Sequence, residues 1–128
     1  MTKAIMITGG AGFVGSHAAE YFCRDGREVI VIDNLSRARM LGKASRDPSY
    51  NWNYLKNSYD NIKLLTLDVR DFQAVKDASK GADAIIHAAA QVAVTKSLVD
   101  PKMDFEINVV GTFNVVEAAR LNDCAVLF

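Results

Sequence analysis

The residues with the clearest chemical potential lie near the amino terminus, in Thr8-Gly9-Gly10-Ala11-Gly12-Phe13-Val14-Gly15. The run holds two overlapping patterns, G-x-G-x-x-G at Gly10, Gly12 and Gly15 and G-x-x-G-x-x-G at Gly9, Gly12 and Gly15. Both ask the same of the backbone. One glycine allows a tight strand-to-helix turn, another brings N–H groups up to a pyrophosphate with no Cβ between, and Gly15 lets the helix pack close to the strand. The free N–H groups and the positive end of the helix then hold phosphate charge. A Walker A loop is excluded, because Gly15 is followed by Ser16-His17 and not by a Lys-Ser/Thr pair.

Asp33 follows the glycines by about 20 residues, the spacing of a dinucleotide fingerprint. At a strand tip its carboxylate can accept from both hydroxyls of an adenosine ribose and repels a 2′-phosphate, which favours NAD over NADP. Arg37 and Arg39 nearby leave NADP open. Asp68 closes another apolar run with two roles open: accepting from an adenine amino group, or helping to cap a helix that begins near Asp71. His87 reads as a hydrogen-bonded packing histidine. After it, Ala88, Ala89 and Ala90 leave room for a sugar and pyrophosphate against the backbone, and the uncharged loop runs through Gln91 and Val92 to Val94. Ser97 can meet a substrate hydroxyl, while Lys96 reads as part of a surface turn. Asn108 stands among apolar residues, where an inward amide must be bonded. It therefore ties the loop after His87 to its own helix or touches the ligand. His17 and His87 stand apart from any cysteine or carboxylate cluster with metal-ligand spacing, so no metal is expected. No Ser-His-Asp constellation can be assembled.

These residues need a scaffold. The chain has 128 residues, 50% hydrophobic and 23% charged, with 15 basic against 15 acidic side chains. Such a composition excludes a disordered chain and lacks the basic excess of a nucleic-acid binder. Glycines interrupt the uncharged stretch that follows Lys3, and no run is long enough to span a bilayer. Cys23 and Cys124 sit in apolar segments, which predicts buried free thiols and a reducing compartment, the cytoplasm.

Apolar, β-branched runs alternate with helical patterns, the mark of a parallel α/β sheet. Strands are expected over 4–8, 28–32, 62–67, 84–88 and 125–128. A helix over 13–24 is expected to face the sheet with Val14, Ala18, Tyr21 and Phe22, and Asp25-Gly26 closes it. A second helix over 71–80 takes Asp71 as its cap. The segment between Asp33 and Ile62, broken by Pro48, is expected to hold one or two short helices. A long helix begins at Pro101, with Ile107, Val110, Ala118 and Leu121 on one stripe and Val109, Phe113 and Val116 on the opposite one. Right-handed crossovers then give a Rossmann-type doubly wound sheet in the order 3-2-1-4-5, a single domain over 1–128 that binds its ligand at the switch point between strands 1 and 4.

Thr8 to His17, Asp33-Asn34-Leu35-Ser36-Arg37, Leu67-Asp68-Val69-Arg70-Asp71, His87-Ala88-Ala89-Ala90 and Asn108-Val109-Val110-Gly111-Thr112 occur together and in order. In this the chain resembles the extended short-chain dehydrogenase/reductase family, the NAD-dependent nucleotide-sugar epimerases and dehydratases. The stretches from Gln91 to Ser97 and from Pro101 to Asn108 look most like those of the CDP-tyvelose (CDP-paratose) 2-epimerases. The resemblance implies that Gly9, Gly12, Phe13, Val14 and Gly15 meet the pyrophosphate. It implies that Asp33, Asn34, Leu35, Ser36 and Arg37 meet the ribose, Asp68 and Val69 the adenine, and Ala88, Ala89, Ala90, Gln91 and Val92 the centre of the cofactor. Asn108 is expected to contact or buttress it.

Enzymes of this kind take a hydride from a sugar carbon onto NAD and return it to the opposite face, with a Tyr-x-x-x-Lys pair as acid and base. Tyr59-Asp60-Asn61-Ile62-Lys63 has that spacing but leads into a strand. The family's pair lies after the fifth strand, beyond Phe128, as does the sugar-nucleotide domain. The resemblance thus implies the cofactor-binding portion of an enzyme that is inactive alone, acts when complete on a nucleotide sugar as a homodimer, and touches neither nucleic acid nor membrane. A stand-alone dinucleotide module without chemistry is the alternative, against which an ending inside the apolar Ala125-Val126-Leu127-Phe128 argues. A related dehydratase or reductase is another.

Overall fold

A computed structural model describes residues 4–40 and 50–128. The strands are β1 (Ala4–Thr8), β2 (Val29–Asp33), β3 (Ile62–Thr66), β4 (Ala82–His87) and β5 (Ala125–Leu127), all parallel, in the order β3-β2-β1-β4-β5. The doubly wound sheet expected from the alternation is the one observed.

Parallel strands covered on both faces must be apolar on both, and alternate residues divide between two cores. Ile5, Ile7, Val29 and Val31 pack on one face with Ala19 and Cys23 of α1 (Phe13–Arg24) and Leu55 of α3 (Tyr50–Ser58). Met6, Ile32 and Ile85 pack on the other with Val75 of α4 (Phe72–Ala78) and Val115, Ala118 and Ala119 of α7 (Gly111–Asn122). The short α2 (Ser36–Met40) follows β2, and α5 (Val94–Val99) and α6 (Pro101–Phe105) follow β4. The expected short helices between Asp33 and Ile62 are thus present as α2 and α3; Pro48 and Lys3 lie outside the described residues.

Several expectations are corrected. Asp33 is the last residue of β2, and β4 begins at Ala82, just after Gly81 turns the chain with φ +78. Asp71 caps α4 by accepting from Ala74 N–H, but the helix runs only over Phe72–Ala78. Lys96 lies within the helix α5 and not in a surface turn. In α1 the face on the sheet is Gly15, Ser16, Ala19 and Cys23, with Ala18 and Phe22 beside it, whereas Val14 and Tyr21 are each 65% exposed.

The long helix is also different from the expected one. Between α6 and α7 the residues Glu106–Val110 form a π turn. A π turn holds one residue more than an α turn, so a 3.6-residue stripe drawn through it slips. Past the turn the sheet-facing residues are Gly111, Asn114, Val115, Ala118 and Ala119, and Leu121 is exposed. Val109, Phe113 and Val116 do lie outward and exposed.

Candidate functional site

The carboxyl edge of the sheet carries the glycine loop, the tips of β2 and β3, and the loop after β4. Each glycine has its own reason. Gly9 has φ +70, and a Cβ there would lie 2.7 Å from Ala89 N and 2.8 Å from Ala88 O. The glycine loop thus touches the loop after β4, closing the floor of the switch point. A Cβ on Gly10 would meet Val31, and one on Gly15 would fall on the Gly9 carbonyl and within 2.9 Å of Gly10 Cα. At Gly12 a Cβ would meet only Gly9 O, at 3.2 Å. Gly12 is the N-cap of α1, no side chain caps that end, and the N–H groups of Phe13 and Val14 precede the first intrahelical donor. Phe13 and Val14 are 75% and 65% exposed. The arrangement offers polarised N–H groups to an anion with no side chain in the way.

Asp33 joins this loop to the tip of β2. Its Oδ2 accepts from Ala11 N–H at 2.9 Å and its Oδ1 from Leu35 N–H at 2.7 Å. Asn34 Oδ1 accepts from Ser36 N–H at 3.0 Å, so two successive side chains each bond the backbone two residues on. Leu35 is held at φ 56, a left-handed conformation that is strained for a leucine. Arg37 is exposed, and Arg39 donates to Asn34 O at 3.0 Å.

Asp68 does not cap α4. It accepts from Arg70 N–H (2.9 Å), Arg70 Nε (3.0 Å), Arg70 Nη2 (2.8 Å) and Asn34 Nδ2 (2.9 Å). Those bonds to Arg70, above all, hold its carboxyl far below the usual range, against the opposing effect of burial. Four donors fill a carboxylate, so a ligand amino group reaches Asp68 only by exchanging with one of them. Val69, next in the chain, is buried, and Gly111 admits it: a Cβ on Gly111 would lie 2.7 Å from Val69 Cγ2. The buried amide of Asn114 donates to Val69 O at 3.0 Å and to Arg70 O at 3.1 Å, fixing this loop from α7.

His87 is a packing histidine with a defined proton arrangement. Thr112 donates to Asn108 O (2.7 Å), so its oxygen accepts from His87 Nε2–H at 3.0 Å. His87 Nδ1 is then bare and accepts from Thr8 Oγ1–H at 2.7 Å, while Thr8 Oγ1 accepts from Ala89 N–H at 3.1 Å. A neutral ring is thereby fixed between β1, β4 and α7, and its burial lowers its pKa.

Asn108 ties the loop after β4 to its helix, one of the two roles its sequence position allows. Its Oδ1 accepts from Gln91 N–H at 2.8 Å and its Nδ2 donates to Gln91 O at 2.9 Å. Ser97 Oγ lies 2.8 Å from Asp104 Oδ1 and 3.2 Å from Ala93 O. Its one proton is committed there, so a substrate hydroxyl at Ser97 would have to be the donor. Ala88 and Ala89 are half-buried and Ala90 exposed, and Val92 is 72% exposed. Sequence reading missed Thr8, Asp104 and Asn114 as hydrogen-bond partners of these loops; the four-residue step from Asp104 to Asn108 was the available signal. His17 donates to Phe13 O at 2.7 Å on the exposed surface and joins no site. Among the described residues no group of three or more His, Cys, Asp or Glu side chains could hold a metal ion. Cys23 is buried and Cys124 half-buried, neither in a disulfide, and Cys124 Sγ donates to Ala82 O at 3.1 Å.

Comparison with known proteins fits this edge. The chain is 38% identical over 128 residues to the CDP-paratose 2-epimerase of Salmonella typhi, covering 97% of this chain and 35% of that protein. An epimerase from Methanothermobacter thermautotrophicus superposes with a TM-score of 0.79 at 33% identity, over 95% of this chain and 33% of that one. The UDP-glucose 4-epimerase of Thermus thermophilus, solved in complex with NAD, gives 0.73 at 32% identity, over 98% of this chain and 36% of that one. The chain spans about a third of the length of the relatives it matches. The glycine loop, the Asp33 tip and the loop after β4 all fall within residues 5–128, the stretch matched by the model of the NAD-dependent epimerase/dehydratase family, and to that family the chain belongs.

Proposed function

We propose that this chain is the NAD-binding part of a nucleotide-sugar epimerase, of the CDP-paratose 2-epimerase or UDP-sugar 4-epimerase kind. One observation carries the reading. The Asp33 carboxylate bonds Ala11 of the glycine loop, so an anion cradle and a ribose-binding carboxylate form one continuous edge. The residues fit the cofactor: Gly9, Gly12 and Gly15 with the N–H groups of Phe13 and Val14 for the pyrophosphate, and the turn from Asp33 through Asn34, Leu35 and Ser36 to Arg37 for the ribose. Asp68 and Val69 would stand beside the adenine, and Ala88 to Val92, backed by Asn108, beside the central region. When bound, NAD supplies the hydride acceptor and donor for a sugar carbon. The chain's own residues bind and orient it, and Asp33 disfavours the 2′-phosphate of NADP. By this reading the chain alone does not turn over. The complete enzyme takes a nucleotide sugar, near Ser97 on one side, and pairs as a homodimer. Two cysteines outside any disulfide suit a reducing compartment such as the cytoplasm.

Isothermal titration of the chain with NAD and then NADP tests this, beside Asp33→Ala and Asp33→Asn variants whose folding is checked by thermal melting. NAD should bind at least about tenfold tighter than NADP, and a folded Asp33 variant should lose that preference. A folded chain that bound neither nucleotide, or both alike with and without Asp33, would overturn the reading.

A further inference from the structure

We propose that Asp104 is the positioning residue for the loop that follows β4. Three donors converge on its Oδ1: Ser97 Oγ at 2.8 Å, Asn108 Nδ2 at 3.2 Å and Gln91 Nε2 at 3.4 Å. Each partner in turn grips the loop. Asn108 takes both polar atoms of Gln91's backbone, at 2.8 and 2.9 Å, and the Gln91 side chain spans Ala93, accepting from its N–H at 2.7 Å and donating to its C=O at 3.0 Å. The Gln91–Ala93 loop has no regular secondary structure, so its order rests on these side-chain bonds. Asp104 is not needed to cap α6, since Asp100 accepts from Met103 N–H at that end.

The consequence is functional as well as structural. Ala88 and Ala89 touch Gly9 at one end of the loop. The other end is set by the Asp104 hub, so the whole segment facing the switch point is held at a fixed height over the cradle. This step rests on the NAD reading above. An acceptor oxygen, not the negative charge, is what the geometry requires, and asparagine can supply one.

The test compares the parent chain with Asp104→Ala, Asp104→Asn and, as a control at the amino edge of the sheet, Asn122→Ala, which removes the amide that bonds Lys76 O and Ser79 Oγ. Amide hydrogen exchange at Gln91 and Ala93 is read without ligand, and NAD affinity by calorimetry. In Asp104→Ala those amides should exchange at least about tenfold faster and the NAD dissociation constant should rise about tenfold, while Asp104→Asn stays within about threefold on both readouts. Asn122→Ala should lower the melting temperature and leave both readouts alone. Unchanged exchange in Asp104→Ala overturns the positioning role, as does unchanged affinity where the parent binds NAD. A parent that binds no NAD refutes the cofactor reading instead, and the exchange data still decide what Asp104 holds.

Discussion

At the scale of single residues, the glycines separate two functions that a motif merges. Gly15 lies inside α1, where alanine is the better helix former by about 1 kcal/mol. Its Cβ would nevertheless meet the Gly9 carbonyl and lie 2.9 Å from Gly10 Cα, backbone atoms that cannot swing aside. Gly15→Ala should therefore lose about 1–3 kcal/mol of stability in urea melts and lose NAD binding with it. At Gly12 only Gly9 O is close, at 3.2 Å, so Gly12→Ala should cost less stability than Gly15→Ala, about 1 kcal/mol for the tight contact and the poorer N-cap, yet bind NAD at least about tenfold more weakly. Equal effects at the two positions would show that the phosphate contact is misplaced. His87 offers a pH-dependent case. Burial lowers its pKa in the folded chain, so as pH falls through about 6.5 the unfolded chain takes up a proton that the folded one resists. Stability contributed by neutral His87 is present above that pH and is lost below it, by at most about 1.4 kcal/mol per pH unit for one proton. Urea midpoints should fall between pH 7 and pH 5 more steeply for the parent than for His87→Gln; parallel slopes would contradict the bonded neutral ring. Gly9, Gly12, Gly15 and Asp33 were legible as candidates in the sequence because the proposed chemistry rests on their spacing along the chain. Thr8 was not, because its partners lie on other elements, and of the partners of Asp104 only Asn108, four residues on, is visible along the chain, while Ser97 and Gln91 come from the loop after β4 and α5.

At the scale of elements, strands and their order were legible because runs such as Ile5-Met6-Ile7 and Val29-Ile30-Val31-Ile32 are apolar on both faces and alternate with helices. The helix after Pro101 was read only in part. Its start is as expected, with Asp100 accepting from Met103 N–H and Pro101 in the first turn. On its inner face Ala118 is buried as the stripe expects, but Leu121 is exposed and Asn114, Val115 and Ala119 are buried instead, because no residue type announces the π turn over Glu106–Val110. Asn108 lies within that turn and accepts from Gln91 N–H at 2.8 Å, so the feature that hid the register also carries a residue of the candidate site. Two truncations test the register. Val115 is fully buried against Met6 and Ile85, so Val115→Ala should cost about 2 kcal/mol. Leu121, which the uninterrupted stripe would bury, is 44% exposed, and Leu121→Ala should change urea stability by no more than about 0.5 kcal/mol. The reverse ranking would restore a continuous α-helix.

At the scale of the whole molecule, the two cores close both faces of the sheet, but the outer side of the helices after β4 stays apolar. Val109, in the π turn, and Phe113 and Val116, in α7, are 51%, 64% and 43% exposed. With a net charge of zero, the chain has little long-range repulsion to keep such faces apart. A two-fold contact would set this stripe against its own copy, since an isologous interface needs a patch complementary to itself. A stable pair buries about 800 Å² on each partner, more than three side chains supply. Phe105, 54% exposed one turn earlier, extends the patch in the right direction. Such a contact would leave the carboxyl edge free, because Asn114 and Asn108 on the same helical run are turned inward to the loops after β3 and β4. Light scattering on the complete protein should therefore report a dimer, and Phe113→Glu should convert it to a monomer that binds NAD as tightly as before. A dimer that survives Phe113→Glu would place the contact elsewhere, and a monomeric parent would remove it. A loss of NAD affinity on dissociation would mean that the outer stripe and the cofactor edge are coupled through the π turn between them.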